Sequence, residues 1–196
     1  MAKYAGKRIG ILGGTFNPVH NGHLHLAGCA VRKMRLDKVI FVPAHIPPHK
    51  RMSGGATAQD RLKMLLLATA GKKKFEVSRY ELEKRGTSYS IRTALHLEKK
   101  YGKKTKFFFL IGADSVPGLS KWKKIGALRK IVRFAAAPRA DYRVGPEGAG
   151  TIKLNIPKKN ISSTIIRQFI KRKKRIGRFV PAGIEKYIKR RNLYAR

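Results

Sequence analysis

The sequence has a single cysteine, Cys29, among its 196 residues, so no disulfide can form within the chain. A lone thiol is typical of proteins in a reducing compartment, and we expect a cytoplasmic location. No apolar run approaches the roughly 20 residues that a membrane-spanning helix needs. Residues 1–4 also lack the apolar stretch that begins a secretory signal. These shortages argue against a disulfide-stabilised secreted domain and against a membrane span.

Acidic residues are also scarce. The chain has 10 Asp and Glu against 46 Lys and Arg, a formal net charge of +36. Such a surface attracts polyanions such as nucleic acid, anionic membrane or polyphosphate, and the attraction weakens with salt. Residues 171–175 form an uninterrupted basic block. Two interpretations stay open: a solvated surface that binds polyanions incidentally, and a surface that serves nucleic-acid binding.

Short apolar runs alternate with helical patterns along the whole chain. The patterns predict strands at 8–12, 38–42, 74–78, 106–111, 131–136 and 152–156. They predict helices at 23–34, 57–70, 90–101, 122–130, 162–173 and 182–191. This alternation indicates βαβ units and one α/β domain over residues 1–196. We expect a Rossmann-like, doubly wound, mostly parallel sheet with helices on both faces.

Three segments rich in glycine, histidine, proline or aspartate begin where predicted strands end. They are residues 13–23, 43–50 and 112–114. In an open parallel sheet, ligands bind in the crevice beyond the carboxyl ends of the strands. The three segments are therefore expected to meet at one rim of the sheet.

The first of these segments reads GGTFNPVHNGH. Gly13 and Gly14 let the backbone turn tightly and approach a ligand. The following helix begins near Gly22, and its first N–H groups attract anions. His20 and His23 would lie beside an anion bound there. The two histidines alone could bind a metal, shuttle a proton or hold a phosphate, but the strand-end position and the lack of an accompanying nucleophile favour the phosphate.

A second hydroxyl-rich segment lies near the C-terminus. Ser162, Ser163 and Thr164 crowd a predicted helix start, and Arg167 follows one turn later. Hydroxyls at a helix start can hold phosphate oxygens, and arginine can bind a phosphate with two parallel hydrogen bonds. Taken alone, an ordinary helix cap followed by a surface arginine explains the pattern as well.

Together, the two segments resemble a known pair of motifs. Residues 13–23 are similar to the GxFxPxHxGH signature of nucleotidyltransferases with an HxGH motif, and residues 161–167 to their ISSTxxR signature. Segments 42–50, 86–91 and 109–115 and Trp122 resemble bacterial nicotinate-nucleotide adenylyltransferases over nearly the whole chain. The resemblance implies adenylyl transfer from ATP, used with Mg²⁺, to nicotinate mononucleotide, giving deamido-NAD and pyrophosphate.

The resemblance also implies two binding sites. The implied ATP site consists of Gly13, Gly14, Thr15, Phe16, His20, Gly22, His23, Gly112, Asp114, Ser162, Ser163, Thr164 and Arg167. The implied mononucleotide site consists of Phe16, Asn17, His45, Lys50, Ser88, Tyr89, Ser90, Asp114 and Trp122, with Trp122 stacked on the pyridine ring. His20, His23 and Arg167 would be catalytic, and no protein residue is assigned to a metal.

The chain departs from the family pattern at three positions. Arg92 stands where an acidic residue is usual, Arg139 is shifted by one residue, and Ser90 replaces a threonine. Two other functions remain open at this point. One is a sister adenylyltransferase for nicotinamide mononucleotide or pantetheine phosphate, and the other is a basic nucleic-acid-binding protein on the same fold. The sequence is compatible with a monomer and with a homodimer.

Overall fold

A computed structural model describes residues 6–48, 54–138 and 148–195 of the chain. Lys50 and Arg139 lie outside these ranges. Six strands form one all-parallel sheet in the order β3-β2-β1-β4-β5-β6. They are β1 (Arg8–Gly14), β2 (Lys38–Pro43), β3 (Phe75–Val77), β4 (Lys106–Gly112), β5 (Val132–Ala137) and β6 (Ile152–Lys153). This order is doubly wound, which confirms the predicted fold class.

Seven α-helices accompany the sheet in the described part of the chain. They are α1 (Asn21–Lys33), α2 (Ala58–Thr69), α3 (Tyr80–Lys84), α4 (Ser90–Tyr101), α5 (Ile125–Ile131), α6 (Ser163–Lys171) and α7 (Ala182–Arg190). Six of them match predicted helices to within a few residues, and the short α3 was not predicted. The strand predicted at 152–156 is shorter than expected, although the Leu154 N–H still donates to the Ala136 carbonyl at 2.8 Å.

Both faces of the sheet are buried, as the unbroken apolar run of β4 predicts. Phe107, Phe109 and Ile111 pack into a core with α4 and α5. Phe108 and Leu110 point the other way, into a core with α1, α2, α6 and α7. No helix in the described ranges is long and apolar enough to cross a membrane.

The chemically distinctive segments meet as expected. β1 ends at Gly14, β2 at Pro43 and β4 at Gly112. The three strands are neighbours in the sheet, and all run parallel. Their carboxyl ends therefore open onto one rim, at the point where the strand order reverses beside β1.

The α2 helix is fixed at its start by a buried carboxylate. Asp60 accepts hydrogen bonds from the Thr57 N–H at 3.0 Å and the Thr57 hydroxyl at 2.7 Å. It also accepts one from the Tyr187 hydroxyl of α7 at 2.9 Å. Burial alone would raise the pKa of Asp60, but these hydrogen bonds hold that pKa below its ordinary value. The ionised group therefore ties α2 to α7.

We expect Asp60→Asn to lower the free energy of unfolding at pH 7 by about 1–3 kcal/mol. Because the folded pKa is depressed, the carboxylate contributes stability above its unfolded pKa of about 3.9 and loses it as pH falls through the folded value. The deficit of the variant should therefore shrink in urea titrations below about pH 4. Asp37→Asn, at a more exposed carboxylate that accepts one bond from the Arg8 N–H, is the control. A deficit independent of pH would contradict this interpretation.

Candidate active site

A cleft of about 400 Å³ lies at the rim where the three strands end. Its size suits a small-molecule ligand. Most residues implied by the resemblance line it: Gly13, Gly14, Thr15, His20, Gly22, His23, Ser88, Tyr89, Ser90, Gly112, Trp122, Ser162, Ser163 and Thr164. The structure therefore brings the two motif segments and the predicted ring-binding segment to one cavity.

The two histidines of the HxGH motif form a fixed pair. Their rings stack with centroids 3.7 Å apart. The His20 backbone N–H donates to Nδ1 of His23 at 3.2 Å. Because Nδ1 accepts this bond, a neutral His23 carries its proton on Nε2. His23 is thereby prepared to donate a hydrogen bond from Nε2.

Two glycines make this packing possible. A Cβ atom on Gly22 would come within 3.0 Å of Nδ1 of His20. A Cβ atom on Gly14 would meet the Phe16 ring at 3.3 Å. Phe16 itself is buried beneath the loop, with its ring edge-on to His23 at 4.9 Å between centroids. Phe16 was expected to bind substrate, but it does not line the cleft, and it supports the loop from below.

The start of α6 is bonded to the loop after β1. The Ser163 hydroxyl donates to the Pro18 carbonyl at 2.9 Å. One Arg167 amino group donates to the Asn17 carbonyl at 2.8 Å, and the other donates to the Thr164 hydroxyl at 3.2 Å. The bonds to Pro18 and Asn17 join residues 145 and 150 positions apart, so the juxtaposition of the two motifs is a product of the fold.

The first turns of α1 and α6 each contain an N–H group that is already engaged within the protein. The Ser162 hydroxyl caps α6 by accepting the Ile165 N–H at 3.2 Å, as its position predicts. In α1, the Asn21 N–H already donates to the Phe179 carbonyl at 2.8 Å. The start of α1 therefore has fewer N–H groups for a phosphate than the sequence predicts.

Asn17 does not line the cleft. The residue is 2% exposed, and its Oδ1 accepts a hydrogen bond from the Tyr194 hydroxyl at 2.7 Å. Burial raises the pKa of Tyr194, so this phenol stays protonated and can donate at any physiological pH. The side chain of Asn17 therefore faces the C-terminal segment, where tertiary contact rather than local pattern decides its direction.

The opposite end of the cleft is built around the start of α4. Tyr89 is the N-cap residue, and no side chain caps the helix there. The Ser88 hydroxyl accepts the His45 N–H at 2.9 Å, and the Ser88 N–H donates to the Ile46 carbonyl at 2.8 Å. Ser88 thus fixes the loop after β2, while His45 itself does not line the cavity.

Trp122 lines the same end of the cleft and also packs into the core. Its ring meets Phe109 and Phe134 edge-on, at centroid distances of 5.6 and 5.8 Å. The indole is therefore held in a fixed orientation, and both a packing role and a stacking role are compatible with its position.

The sequence did not indicate all of the charged residues near the start of α4. Glu81 accepts hydrogen bonds from the Thr93 and Ser88 hydroxyls, and burial raises its pKa although these bonds oppose the rise. Lys123 and Arg92 lie over the Tyr89 ring, 4.4 and 5.5 Å from its centroid. The departure at Arg92 therefore places a cation beside Tyr89. Nothing in the local pattern of the sequence indicates Glu81.

Asp114 does not belong to the cleft wall. It is exposed on a short 3-10 turn, Ala113–Ser115, that follows β4. Its neighbours Gly112 and Ser115 do line the cavity.

A metal site built from the histidines is not present in the described ranges. No group of three or more His, Cys, Asp or Glu side chains is placed there to hold a metal ion. His25 instead meets the Pro157 carbonyl with Nε2, at 3.0 Å.

Comparisons with known proteins identify the family of this chain. The cytidylyltransferase-like family model matches residues 11–169. Relatives from Moorella thermoacetica (39% identical, covering 95% of this chain and 91% of the relative) and Bacillus cytotoxicus (40%, covering 96% and 98%) are each named "Probable nicotinate-nucleotide adenylyltransferase".

A solved structure has the same fold. The nicotinic acid mononucleotide adenylyltransferase of Plasmodium falciparum, complexed with NaAD, superposes with a TM-score of 0.78 over 96% of this chain and 97% of that one, at 20% identity. The two sequence relatives, at 39% and 40% identity, support a more specific family assignment than this structure does at 20% identity. The chain belongs to the cytidylyltransferase-like family, among the nicotinate-nucleotide adenylyltransferases.

Proposed function

We propose that this protein transfers the adenylyl group of ATP to nicotinate mononucleotide and releases deamido-NAD and pyrophosphate. One observation carries the proposal: the stacked His20–His23 pair shares a cleft with the hydroxyl-rich start of α6, which Arg167 bonds to the loop after β1. That arrangement suits a triphosphate. The names of the sequence relatives support this choice of substrates.

The proposed reaction depends on how the two substrates are positioned more than on activation of the attacking group. A phosphate oxygen of the mononucleotide attacks the α-phosphorus of ATP, forming a new P–O bond. The bond from the α-phosphorus to the bridging oxygen breaks, and pyrophosphate leaves with the electron pair. The attacking phosphate is already a nucleophile, so no general base is required. His23, donating from Nε2, and His20 would stabilise the charge on the α-phosphate.

The β- and γ-phosphates would lie at the start of α6. Ser162, Ser163 and Thr164 line the cleft there. The Ser162 and Thr164 hydroxyls accept hydrogen bonds within the protein and keep their own protons for phosphate oxygens, whereas Ser163 already donates to the Pro18 carbonyl. Arg167 makes two hydrogen bonds to the protein. A guanidinium has five N–H donors, so some remain for phosphate oxygens. The glycines after β1 would let the triphosphate approach the backbone closely.

The pyridine ring would lie at the other end, against Trp122. The uncapped start of α4, at Tyr89 and Ser90, would receive the ring carboxylate. The cations Lys123 and Arg92 add positive potential at this end. This environment favours the acid over the amide of the ring. Ser88 fixes the adjacent loop.

Four further residues of the implied mononucleotide site also belong to the proposal. Asp114 would have to reach a ribose from its exposed turn, and His45 would act through its loop. Asn17 would act by holding the loop after β1, since it faces Tyr194. Binding of the mononucleotide by Lys50 stays a prediction.

ATP would enter as its magnesium complex. Of the described residues, Glu81 is the acidic side chain lining the cleft, and it is engaged with Thr93 and Ser88. Mg²⁺ commonly binds through phosphate oxygens and water with few protein ligands. We therefore place the ion on the triphosphate, where it would neutralise the departing pyrophosphate.

Two further properties are proposed from composition. The single thiol, Cys29, fits a cytoplasmic enzyme. The exposed basic segment 171–175 lies on the surface after α6, and we propose that it binds polyanions by charge alone, without a role in catalysis.

A substrate panel tests the proposed activity. Pyrophosphate release from ATP and Mg²⁺ should be highest with nicotinate mononucleotide, because the ring carboxylate would face the start of α4, where Lys123 and Arg92 flank Tyr89. Nicotinamide mononucleotide should react more slowly, and pantetheine phosphate should not react. Absence of turnover with all three would refute the proposed function, and a preference for the amide would refute the carboxylate site.

Replacement of the histidine donor tests its role. His23→Ala should lower kcat by about 10²–10³-fold, the cost of losing one preorganised donor to a transition state. The melting temperature should change little. His96→Ala is the matched control, since His96 stacks on Tyr80 away from the cleft and should retain activity. A kcat for His23→Ala within a few-fold of the wild type would rule out the donor role.

The basic surface makes a separate prediction about salt. Affinity for random single-stranded DNA should fall steeply from 50 to 200 mM NaCl. Neutralising Arg172, Lys173 and Lys174 to Gln should flatten the log–log salt slope by about 1 per lost phosphate contact, with adenylyl transfer unchanged. A control with Lys72, Lys103 and Lys104 replaced should keep more of the slope. Equal losses in both variants would show that the charge acts without a preferred surface.

A further inference from the structure

Arg61 is a buried cation beneath the cleft. It lies on α2 and is 1% exposed. One amino group donates to the Thr15 carbonyl at 2.9 Å and to the Ala44 carbonyl at 2.6 Å. The other donates to the His45 carbonyl at 3.5 Å. A single side chain thus bonds the backbone after β1 to the backbone after β2.

The charge of Arg61 is not matched by an acidic side chain of residues 6–48, 54–138 or 148–195. No carboxylate within the described residues lies at ion-pair distance from it, and its Nε has no hydrogen-bond partner. Burial lowers the pKa of the guanidinium, with Tyr194 opposing the shift, but an arginine remains protonated in a protein. Burying an unpaired cation is costly. A hydrocarbon side chain would fill this space without that cost, so the guanidinium contributes more than volume.

The two segments that Arg61 joins belong to different halves of the cleft. Thr15 lines the half assigned to the triphosphate. Ala44 and His45 begin the loop whose Pro47 and Pro48 line the half assigned to the mononucleotide. A backbone bond from the Ala44 N–H to the Gly14 carbonyl, 2.9 Å long, already holds the segments together at the sheet edge. The hydrogen bonds of Arg61 continue the connection between the two segments past Gly14 and Pro43, the last residues at which β1 pairs with β2.

We propose that Arg61 is a positioning residue that sets the spacing between the two substrate subsites. The inference rests on the proposed function, because it concerns how far the attacking phosphate lies from the α-phosphorus. Arg61 is buried and does not line the cleft. It acts through the carbonyls of Thr15, Ala44 and His45, which hold the two loops in register.

The kinetic consequence of such a role is specific. Each loop can still bind its own substrate when Arg61 is replaced, so KM should change little. The two reacting groups would no longer be held in line, and a misplacement of about 1 Å can cost about 10²-fold in rate. If Arg61 only packed in the core, its replacement would lower the stability of the protein and leave the kcat of the folded enzyme unchanged.

Arg8 provides a matched control in the same protein. Its Nε donates to the Met34 carbonyl at 3.0 Å, and its guanidinium lies over the Phe108 ring at 4.7 Å. Arg8 is therefore a carbonyl-binding, partly buried arginine as well. It stands at the first residue of β1, at the opposite end of the sheet from the cleft.

The kinetic test compares Arg61→Lys and Arg61→Met with Arg8→Lys and Arg8→Met. At saturating ATP and nicotinate mononucleotide, Arg61→Met should lower kcat by about 10²-fold and Arg61→Lys by about tenfold, since lysine keeps the charge but not the planar fork. KM for each substrate should stay within about threefold, and the Arg8 variants should keep kcat within about twofold. Equal effects at both arginines, or a large rise in KM without loss of kcat, would overturn the proposal.

Amide hydrogen exchange separates this proposal from the proposed function. In the Arg61 variants, the amides of Ala44 and His45 should exchange at least severalfold faster than in the wild type, and in the Arg8 variants they should not. This readout needs no turnover, so a wild type inactive on the substrate panel would refute the function and leave the loop contact testable. If Arg61→Met does not fold, Arg61→Lys carries both tests. Unchanged exchange at Ala44 and His45 would overturn the proposal.

Discussion

The hydrogen bonds that hold residues 15–18, the loop after β1, are the interactions on which the site depends. Their donors come from α2, α6 and the C-terminal segment: Arg61, Ser163, Arg167 and Tyr194. Because the loop leads directly into the histidine pair, these donors fix where that pair stands. A phosphate site built from strand ends and helix starts becomes rigid only when remote parts of the chain close on it.

Acidic residues are scarce in this chain, and three of them form hydrogen bonds to other elements of the fold. Asp60 ties α2 to α7. Glu76 of β3 accepts hydrogen bonds from Lys38 of β2 at 2.6 Å and from Tyr101 of α4 at 2.9 Å, so it joins two strands to a helix. Glu81 is engaged by hydroxyls at the cleft wall. These acidic side chains are engaged by partners within the protein, and the described cleft wall otherwise presents hydroxyls, histidines and lysines. Such a cleft suits two substrates that both carry phosphate.

Much of the fold could be predicted because local pattern decides it. The unbroken run of β4 indicated burial on both faces, and the helical pattern over residues 57–70 indicated α2. The meeting of the two motifs followed from the general geometry of parallel sheets. The five-residue α3 escaped prediction because it is too short to show a helical period.

The details of the site that were missed depend on contacts between distant residues. Phe16 is turned under the loop, and Asn17 is turned toward Tyr194, a partner 177 positions away. The sequence marks Arg61 as one more arginine on a helix. Only the packing of α2 against two strand ends makes it a buried donor to three carbonyls. Such roles have no local signature, because both partners of each bond are set by tertiary structure.

In the proposed reaction, this cleft positions two phosphates for direct transfer, with His20 and His23 as hydrogen-bond donors and not as nucleophiles. The stereochemical course at the α-phosphorus tests it most directly, using ATP made chiral there by sulfur substitution. One in-line displacement inverts the configuration, so direct transfer gives inversion in the deamido-NAD product. Retention would require two displacements through an adenylylated side chain and would rule out direct transfer.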